Sequence, residues 1–195
     1  MKRCTTYSLS AAVILSAALS TCGPAFADTA ATTTGTAAAT IAKASSCGIA
    51  PYGLIGERWT ALGGENSWLG CPTTGERDVY VGGVWAGRRQ YFNRGAMAWS
   101  PNQGSKMVVS AWRDNSGYVY FDWRSTAPFS YDKFLVRYTS PADSNGVQRD
   151  IRGGTSGRVR VQYITNGGYR FIVEGCDTGV FGSRCRQGWT ISVTA

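Results

Sequence analysis

The second half of this chain is divided into short, evenly spaced β-rich segments, and no other feature limits its fold as strongly. From residue 106 onward, seven segments rich in β-branched and aromatic residues alternate with clusters of Gly, Asn, Pro and Ser. Period-two alternation over such short runs is typical of half-buried antiparallel strands. The pattern therefore predicts an antiparallel β-sandwich over residues 106–195. The segments are 107–112, 118–123, 133–140, 147–151, 158–165, 169–176 and 189–195.

Three of these segments carry residues in positions that one sandwich family uses. Trp123 ends the second segment, residues 133–138 read Lys-Phe-Leu-Val-Arg-Tyr, and Tyr169 precedes an apolar run in residues 168–174. This arrangement resembles an immunoglobulin-like or fibronectin type III-like module. The resemblance implies a sandwich that serves as a spacer or as a second interaction surface.

An earlier stretch, residues 58–100, contains a pattern of small and aromatic residues at defined positions. These positions are Gly63-Gly64, Leu69-Gly70-Cys71-Pro72, Gln90 and Phe92 with Gly95, and Trp99-Ser100. The pattern resembles the LGFP repeat of actinobacterial cell-envelope proteins, in a single copy and with Cys71 where that family has phenylalanine. The resemblance implies attachment to the cell wall and implies nothing about catalysis.

The predicted repeat module covers residues 47–105. Apolar residues from Leu54 to Leu62 lie on one side of a short helix that Gly63 would end, and later glycines separate short β-hairpins. The whole chain is therefore expected to be mainly β. Residues 107–112 fit either the end of the repeat or the start of the sandwich, so the boundary falls within 105–116.

The N-terminal residues predict export. Lys2 and Arg3 precede an apolar run over 9–19, and Ala25-Phe26-Ala27 is a small-x-small cleavage site, so residues 1–27 read as a signal peptide. An alternative is lipoprotein anchoring at Cys22. Residues 28–46 contain little besides Ala, Thr, Ser and Gly and predict a disordered linker. No transmembrane segment is expected in the mature chain.

Four of the six cysteines, Cys47, Cys71, Cys176 and Cys185, belong to the predicted mature chain. An even number in an exported protein predicts disulfides, and four cysteines allow three pairings. The most local pairing joins Cys47 to Cys71 and Cys176 to Cys185. The chain contains no histidine and no Cys-x-x-Cys pair, so neither a metal nor another cofactor is expected.

The same composition restricts enzymatic function. Without histidine, a Ser-His-Asp or Cys-His arrangement is impossible within this chain. Paired carboxylates could still hydrolyse glycosidic bonds, but none of the acidic residues stands in a recognisable motif. We therefore expect a protein that is not an enzyme, with a carboxylate-dependent glycosidase as an alternative. The carboxylates considered are Glu57, Glu65, Glu76, Asp114, Asp122, Asp132 and Asp150.

Aromatic residues give the clearest indication of binding. An exposed indole offers a flat apolar surface for a sugar ring, and arginine can bind hydroxyls or anionic groups. Trp59, Trp99 and Trp123 occupy patterned positions and are expected in the core. The pattern does not account for Trp68, Trp85 and Tyr91, which with Arg89 are the predicted ligand-binding residues. Alternation along 85–92 places Trp85, Arg89 and Tyr91 on one face of a strand.

The sequence thus predicts an exported, non-catalytic cell-envelope protein that binds cell-wall polysaccharide or another envelope polymer through the repeat. The alternative is a protein-binding module or inhibitor for an exported partner, acting through the loop between Cys176 and Cys185. Phe181 and Arg184 are its candidate contacts. The net charge of +8 is compatible with anionic envelope polymers, whereas no nucleic-acid motif is present.

Overall fold

The structure is a computed structural model that describes residues 46–165, 167–180, 182–185 and 188–195. These residues belong to one compact unit, Ala42–Ala195. The predicted signal peptide, the alternative lipidation site at Cys22 and nearly all of the predicted linker lie outside the described residues, as does Phe181.

The described residues form mainly β-structure with one short α-helix, which confirms the predicted fold class. Helix α1 spans Gly53–Ala61, and short 3-10 turns lie at Gly64–Asn66 and Pro101–Gln103. The strands are β1 (Arg77–Val81), β2 (Val84–Phe92), β3 (Gly95–Trp99), β4 (Val108–Arg113), β5 (Tyr118–Arg124), β6 (Tyr131–Ser140), β7 (Asp143–Gly154), β8 (Ser156–Gln162), β9 (Arg170–Gly179), β10 (Gly182–Cys185) and β11 (Val193–Thr194).

The strands form two antiparallel sheets. One sheet has six strands in the order β1-β2-β3-β4-β5-β8, and the other has the order β10-β9-β6-β7 with β11 also paired to β9. Each of the seven β-rich segments from residue 107 onward overlaps one of these strands. The predicted sandwich is therefore present, while the resemblance to fibronectin type III modules stays a prediction.

Aromatic side chains fill the space between the two sheets. Phe121 stacks on Phe171 with ring centroids 5.2 Å apart, and Trp123 meets Phe134 edge-on at 5.2 Å. All four side chains are fully buried. Burial of each such side chain stabilises the fold by about 1.5–3 kcal/mol, so this cluster is a main source of the sandwich's stability. Trp123 is a core residue, as predicted.

The predicted boundary at residues 105 and 106 falls between β3 and β4, inside the six-stranded sheet. The two strands pair from Gly95 opposite Trp112 to Trp99 opposite Val108. A Cβ added at Gly95 would lie 1.9 Å from the carbonyl oxygen of Ala111, so glycine permits the close pairing. Strand β4 both follows the repeat and pairs with β5, so the two predicted segments share one sheet within one compact unit.

Helix α1 covers the outer face of this sheet. Ile55 and Trp59 join Met97, Val108 and Trp112 in a second hydrophobic cluster, which makes β3 and β4 buried on both faces. The helix ends at Ala61, and Gly63 follows with φ +111°, as predicted for a glycine at the helix C-terminus. The Trp59 indole N–H also donates to the carbonyl oxygen of Gly70 at 2.9 Å.

Both predicted disulfides are present. Cys47 is bonded to Cys71, which ties the segment before α1 to the loop before β1, and Cys176 is bonded to Cys185 across β9 and β10. Each bridge restricts the unfolded chain and so stabilises the native state. The local pairing inferred from the sequence is confirmed.

A buried carboxylate links α1 to the edge of the six-stranded sheet. Asp122 on β5 accepts hydrogen bonds from the guanidinium of Arg58 on α1 through one oxygen. Its other oxygen lies 3.0 Å from Nη2 of Arg158 on β8. Arg58 is 8% exposed, whereas the Arg158 side chain is 51% exposed. The buried guanidinium therefore depends on Asp122 for its compensating charge.

Replacing Asp122 should destabilise the protein much more than replacing its exposed partner. Asp122→Ala leaves Arg58 as a buried charge without its partner, which costs about 3–5 kcal/mol. Arg158→Ala removes a solvent-screened pair and costs about 1 kcal/mol or less. Urea unfolding with the disulfides intact measures both values. Equal losses in the two variants would contradict the role assigned to Asp122.

Candidate functional site

A groove of about 660 Å³ lies where the β2–β3 turn meets the β4–β5 turn. We call it the turn groove. Its polar walls come from both turns, and Gly168 and Thr194 border it from the other sheet. The polar side chains are Asn93 and Arg94 from the first turn and Arg113, Asp114 and Asn115 from the second.

Backbone hydrogen bonds hold the first turn against the loop that contains Cys71. The N–H of Asn93 donates to the carbonyl oxygen of Cys71 at 3.0 Å, and that of Arg94 donates to Leu69 at 3.2 Å. Gly70 between them has φ +71°, and a Cβ there would lie 3.2 Å from the Asn93 amide nitrogen. The Leu-Gly-Cys pattern and its disulfide thus position one wall of the turn groove.

An exposed tryptophan lies beside that wall. Trp68 is 46% exposed, and the guanidinium carbon of Arg94 lies 5.8 Å from the centre of its ring. Arg94 also donates a 3.4 Å hydrogen bond to the side-chain oxygen of Asn115 in the second turn. Cation–π contact and hydrogen bond together orient the guanidinium between the two turns.

The second turn contributes a positioned cation and a positioned anion. The guanidinium of Arg113 lies over Tyr163, 4.6 Å from the ring centre, and donates to its hydroxyl. Asp114 accepts hydrogen bonds from the backbone N–H groups of Ser116 at 2.9 Å and Tyr118 at 2.8 Å. Partial desolvation alone would raise the pKa of Asp114, but these hydrogen bonds outweigh it and hold the pKa below the ordinary 3.8. Asp114 is therefore ionised at neutral pH.

These groups suit the recognition of hydroxyl-rich ligands. Carboxylate and amide oxygens accept hydrogen bonds from hydroxyls, while guanidinium and amide N–H groups donate to them. An indole supplies the flat apolar surface that the C–H face of a sugar needs. Charges of both signs line the turn groove, so the set does not favour a strongly charged ligand.

The groove-lining residues of both turns, 93–95 and 113–115, lie within a segment that comparison with known families identifies. Residues 69–115 match the LGFP repeat. The match confirms the resemblance found in the sequence and supports a module associated with the cell envelope. It begins after helix α1 and extends past residue 105 to include β4 and the first two residues of the β4–β5 turn, Asp114 and Asn115. No curated protein and no solved structure shows a match to the chain.

Within the LGFP repeat, Trp85 does not join Arg89 and Tyr91. The register between β1 and β2 shifts at Val79 and Tyr80, because one extra residue is inserted in β2. Trp85 therefore lies on the face of Arg88, and both side chains donate to Asp78 Oδ1 at 3.0 Å. The face that simple alternation predicted for Trp85 is wrong.

Arg89 and Tyr91 do share a face, at the edge of the sandwich interior. The Arg89 guanidinium lies 5.2 Å from the Tyr91 ring centre and donates to the carbonyl oxygen of Ser192 at 3.2 Å. The four predicted ligand-binding residues thus lie in three places, and Trp68 is the one beside the turn groove. All four stay predictions as ligand-binding residues.

The predicted protein-binding loop is the β9–β10 hairpin. Arg184 is exposed on β10 and borders a cavity of about 360 Å³, whereas Phe181 lies outside the described residues. Val180, which the sequence analysis did not single out, is 95% exposed at the tip of the hairpin.

The polar residues of the turn groove were missed because the sequence presents them only as turn residues. Asn93-Arg94-Gly95 and Asp114-Asn115 contain the amides, carboxylate and glycine that turns require in any case. The sequence did indicate that both turns join neighbouring strands. In a meander, every second hairpin turn lies at the same end of the sheet. This rule would have predicted that the β2–β3 and β4–β5 turns lie close together.

The described residues include one cluster with the geometry of potential metal ligands. Ligand atoms of Glu174, Cys176 and Cys185 lie within 4.8 Å of one another. The two sulfur atoms are bonded to each other, and a disulfide lacks the thiolate charge that binds metal.

The described part of the chain also contains no helix that is both long and apolar enough to cross a bilayer.

The hydrogen bond between Trp85 and Asp78 should be lost in acid. The bonds from Trp85 and then Arg88 hold the pKa of Asp78 below its ordinary 3.8. Because this pKa is lowered, the interaction is present at neutral pH and disappears as the pH falls through the folded-state value. The indole N–H resonance of Trp85 in an NMR titration should move with a midpoint below 3.8. A midpoint above that value, or the same transition in Asp78→Asn, would contradict this assignment.

Proposed function

We propose that this protein is an exported, non-catalytic component of the cell envelope that binds a hydroxyl-rich wall polysaccharide in the turn groove. The observation that carries the proposal is that the groove-lining residues of both turns, 93–95 and 113–115, fall within the LGFP match at residues 69–115. Export and location at the wall are part of the same proposal, and they agree with two disulfides in the chain.

The expected mode of binding is stacking on Trp68 combined with hydrogen bonds from Arg94 and the turn amides. Arg94 is central, because it contacts the indole of Trp68 and the amide of Asn115 at once. A sugar ring seated on Trp68 would bring its hydroxyls within reach of these donors and acceptors. Asp114 supplies an ionised acceptor in the second turn.

Removing either the Trp68 indole or the Arg94 guanidinium should weaken attachment to purified cell walls. Trp68→Ala removes the stacking surface, and Arg94→Ala removes a guanidinium that interacts with both turns. Each substitution should reduce affinity about tenfold, the effect of losing about 1.4 kcal/mol. Co-sedimentation of the purified protein with walls at several protein concentrations gives the affinity.

The matched control is Trp85→Ala, which removes an indole of similar exposure, 41%, outside the turn groove. It should leave sedimentation unchanged. If Trp85→Ala alone loses binding, the polymer binds at the surface around Trp85 and not in the turn groove. Failure of the unaltered protein to sediment would refute wall binding. Release of soluble sugar during the incubation would refute the non-catalytic assignment and support the glycosidase alternative.

A second candidate function is binding of an exported protein partner through the β9–β10 hairpin. Val180 is 95% exposed at its tip, and the Cys176–Cys185 disulfide braces its base. An apolar residue on a disulfide-bridged hairpin is a suitable contact for a protein surface, because the bridge reduces the entropy lost on binding.

Val180→Ser and Arg184→Ala should abolish capture of such a partner while leaving wall sedimentation intact. Pull-down from an extract of exported proteins, with and without these substitutions, tests the prediction. A partner that binds both variants as well as the original protein would exclude the hairpin as its contact. If these variants no longer sediment with walls, the hairpin contributes to polymer binding instead.

A further inference from the structure

The outer face of the five-stranded sheet is rich in arginine and is exposed except near Glu174 and Cys176, which are buried. Side chains of β6, β7 and β9 that point away from the aromatic core form this surface, which we call the arginine face. Cross-strand pairing places Lys133 beside Arg152, Arg137 beside both Gln148 and Ile172, and Arg170 beside Thr139. No residue of the LGFP match belongs to it.

Positive charge on this face is only partly compensated. Lys133 forms a salt bridge with Asp150 at 3.0 Å. A second carboxyl group on this face, that of Glu174, lies opposite Leu135 and is buried. Among the described residues, Arg137, Arg152 and Arg170 form no salt bridge, although all three are exposed. Three guanidinium groups on adjacent strands therefore produce a local excess of positive charge that attracts anions.

Two of these arginines border a small cleft. The cleft has a volume of about 200 Å³, and Arg137, Arg170, Thr139 and Ile172 contribute to its walls. Arg137 donates a long hydrogen bond, 3.5 Å, to the carbonyl oxygen of Asn145, which leaves most of its N–H groups available. A cleft of this size fits a single phosphate or carboxylate group, and a guanidinium can bind either one through two parallel hydrogen bonds.

We propose that the arginine face binds a polyanionic polymer whose phosphate or carboxylate groups enter the cleft between Arg137 and Arg170. The apolar side chains on the face, Leu135 and Ile172, are half-buried. They provide no protruding apolar group for insertion into a bilayer. Charge complementarity therefore favours a soluble or wall-bound polymer over a lipid surface. This site shares no lining residue with the turn groove.

Calorimetric titration of the purified protein with inorganic polyphosphate and with polygalacturonate tests the proposal. At low salt at least one polymer should bind, and high salt should weaken the binding because exposed charges are screened. Arg137→Ala and Arg170→Ala should each reduce affinity about tenfold, the effect of losing one charge-assisted hydrogen bond. Comparison of the two polymers distinguishes phosphate from carboxylate recognition.

Arg77→Ala is the matched control, because it removes one exposed arginine from β1 in the other sheet. It should change the affinity less than twofold, by an amount expected from net charge alone. An equal loss in Arg77→Ala, or unchanged binding in the Arg137→Ala Arg170→Ala double variant, would overturn the proposal. Binding to phosphatidylglycerol vesicles but to neither polymer would also overturn it. Trp68→Ala should bind both polyanions normally, which separates this test from that of the turn groove.

Discussion

Pairing between β3 and β4 is the interaction on which the rest of this structure depends. It continues the strands of the LGFP segment directly into the sheet of the sandwich. Ala96, Ala98 and Ala111 face the aromatic core, while Met97 and Trp112 face helix α1. Both hydrophobic clusters therefore share these two strands, and the repeat is supported by the sandwich in the same sheet. This arrangement gives a single repeat the packing that neighbouring copies would provide in an array.

The turn groove follows from the same arrangement. Because β2, β3, β4 and β5 form a meander, the β2–β3 and β4–β5 turns lie at one edge of the sheet. Arg94 and Asn115 can meet across this edge only when β3 and β4 are paired. The Cys47–Cys71 disulfide and the hydrogen bonds to Leu69 and Cys71 then hold the first turn in place. The turn groove is thus attached to regular structure on both sides, which would reduce the entropy lost when the proposed ligand binds.

The two proposed ligand sites differ in chemistry because they lie on different parts of the sandwich. The turn groove combines Trp68 with amides and charges of both signs, whereas the arginine face presents guanidinium groups with little compensation. A wall contains both hydroxyl-rich and anionic polymers, so the two sites could act together and increase the total affinity. Their separate substitutions make each contribution measurable.

The local structure of this protein could be predicted from the order of its amino acids. Period-two alternation predicted strands in all seven segments from residue 107 onward, Gly63 ended the helix, and the closest cysteines formed the disulfides. These features depend on residues near each other in the chain. Tertiary structure alone decided that β4 belongs to both predicted modules, that a bulge moves Trp85 to the other face, and that Arg94 meets Asn115. Each of these depends on the register between strands, which is set by packing of the whole sheet and cannot be obtained from one strand's pattern.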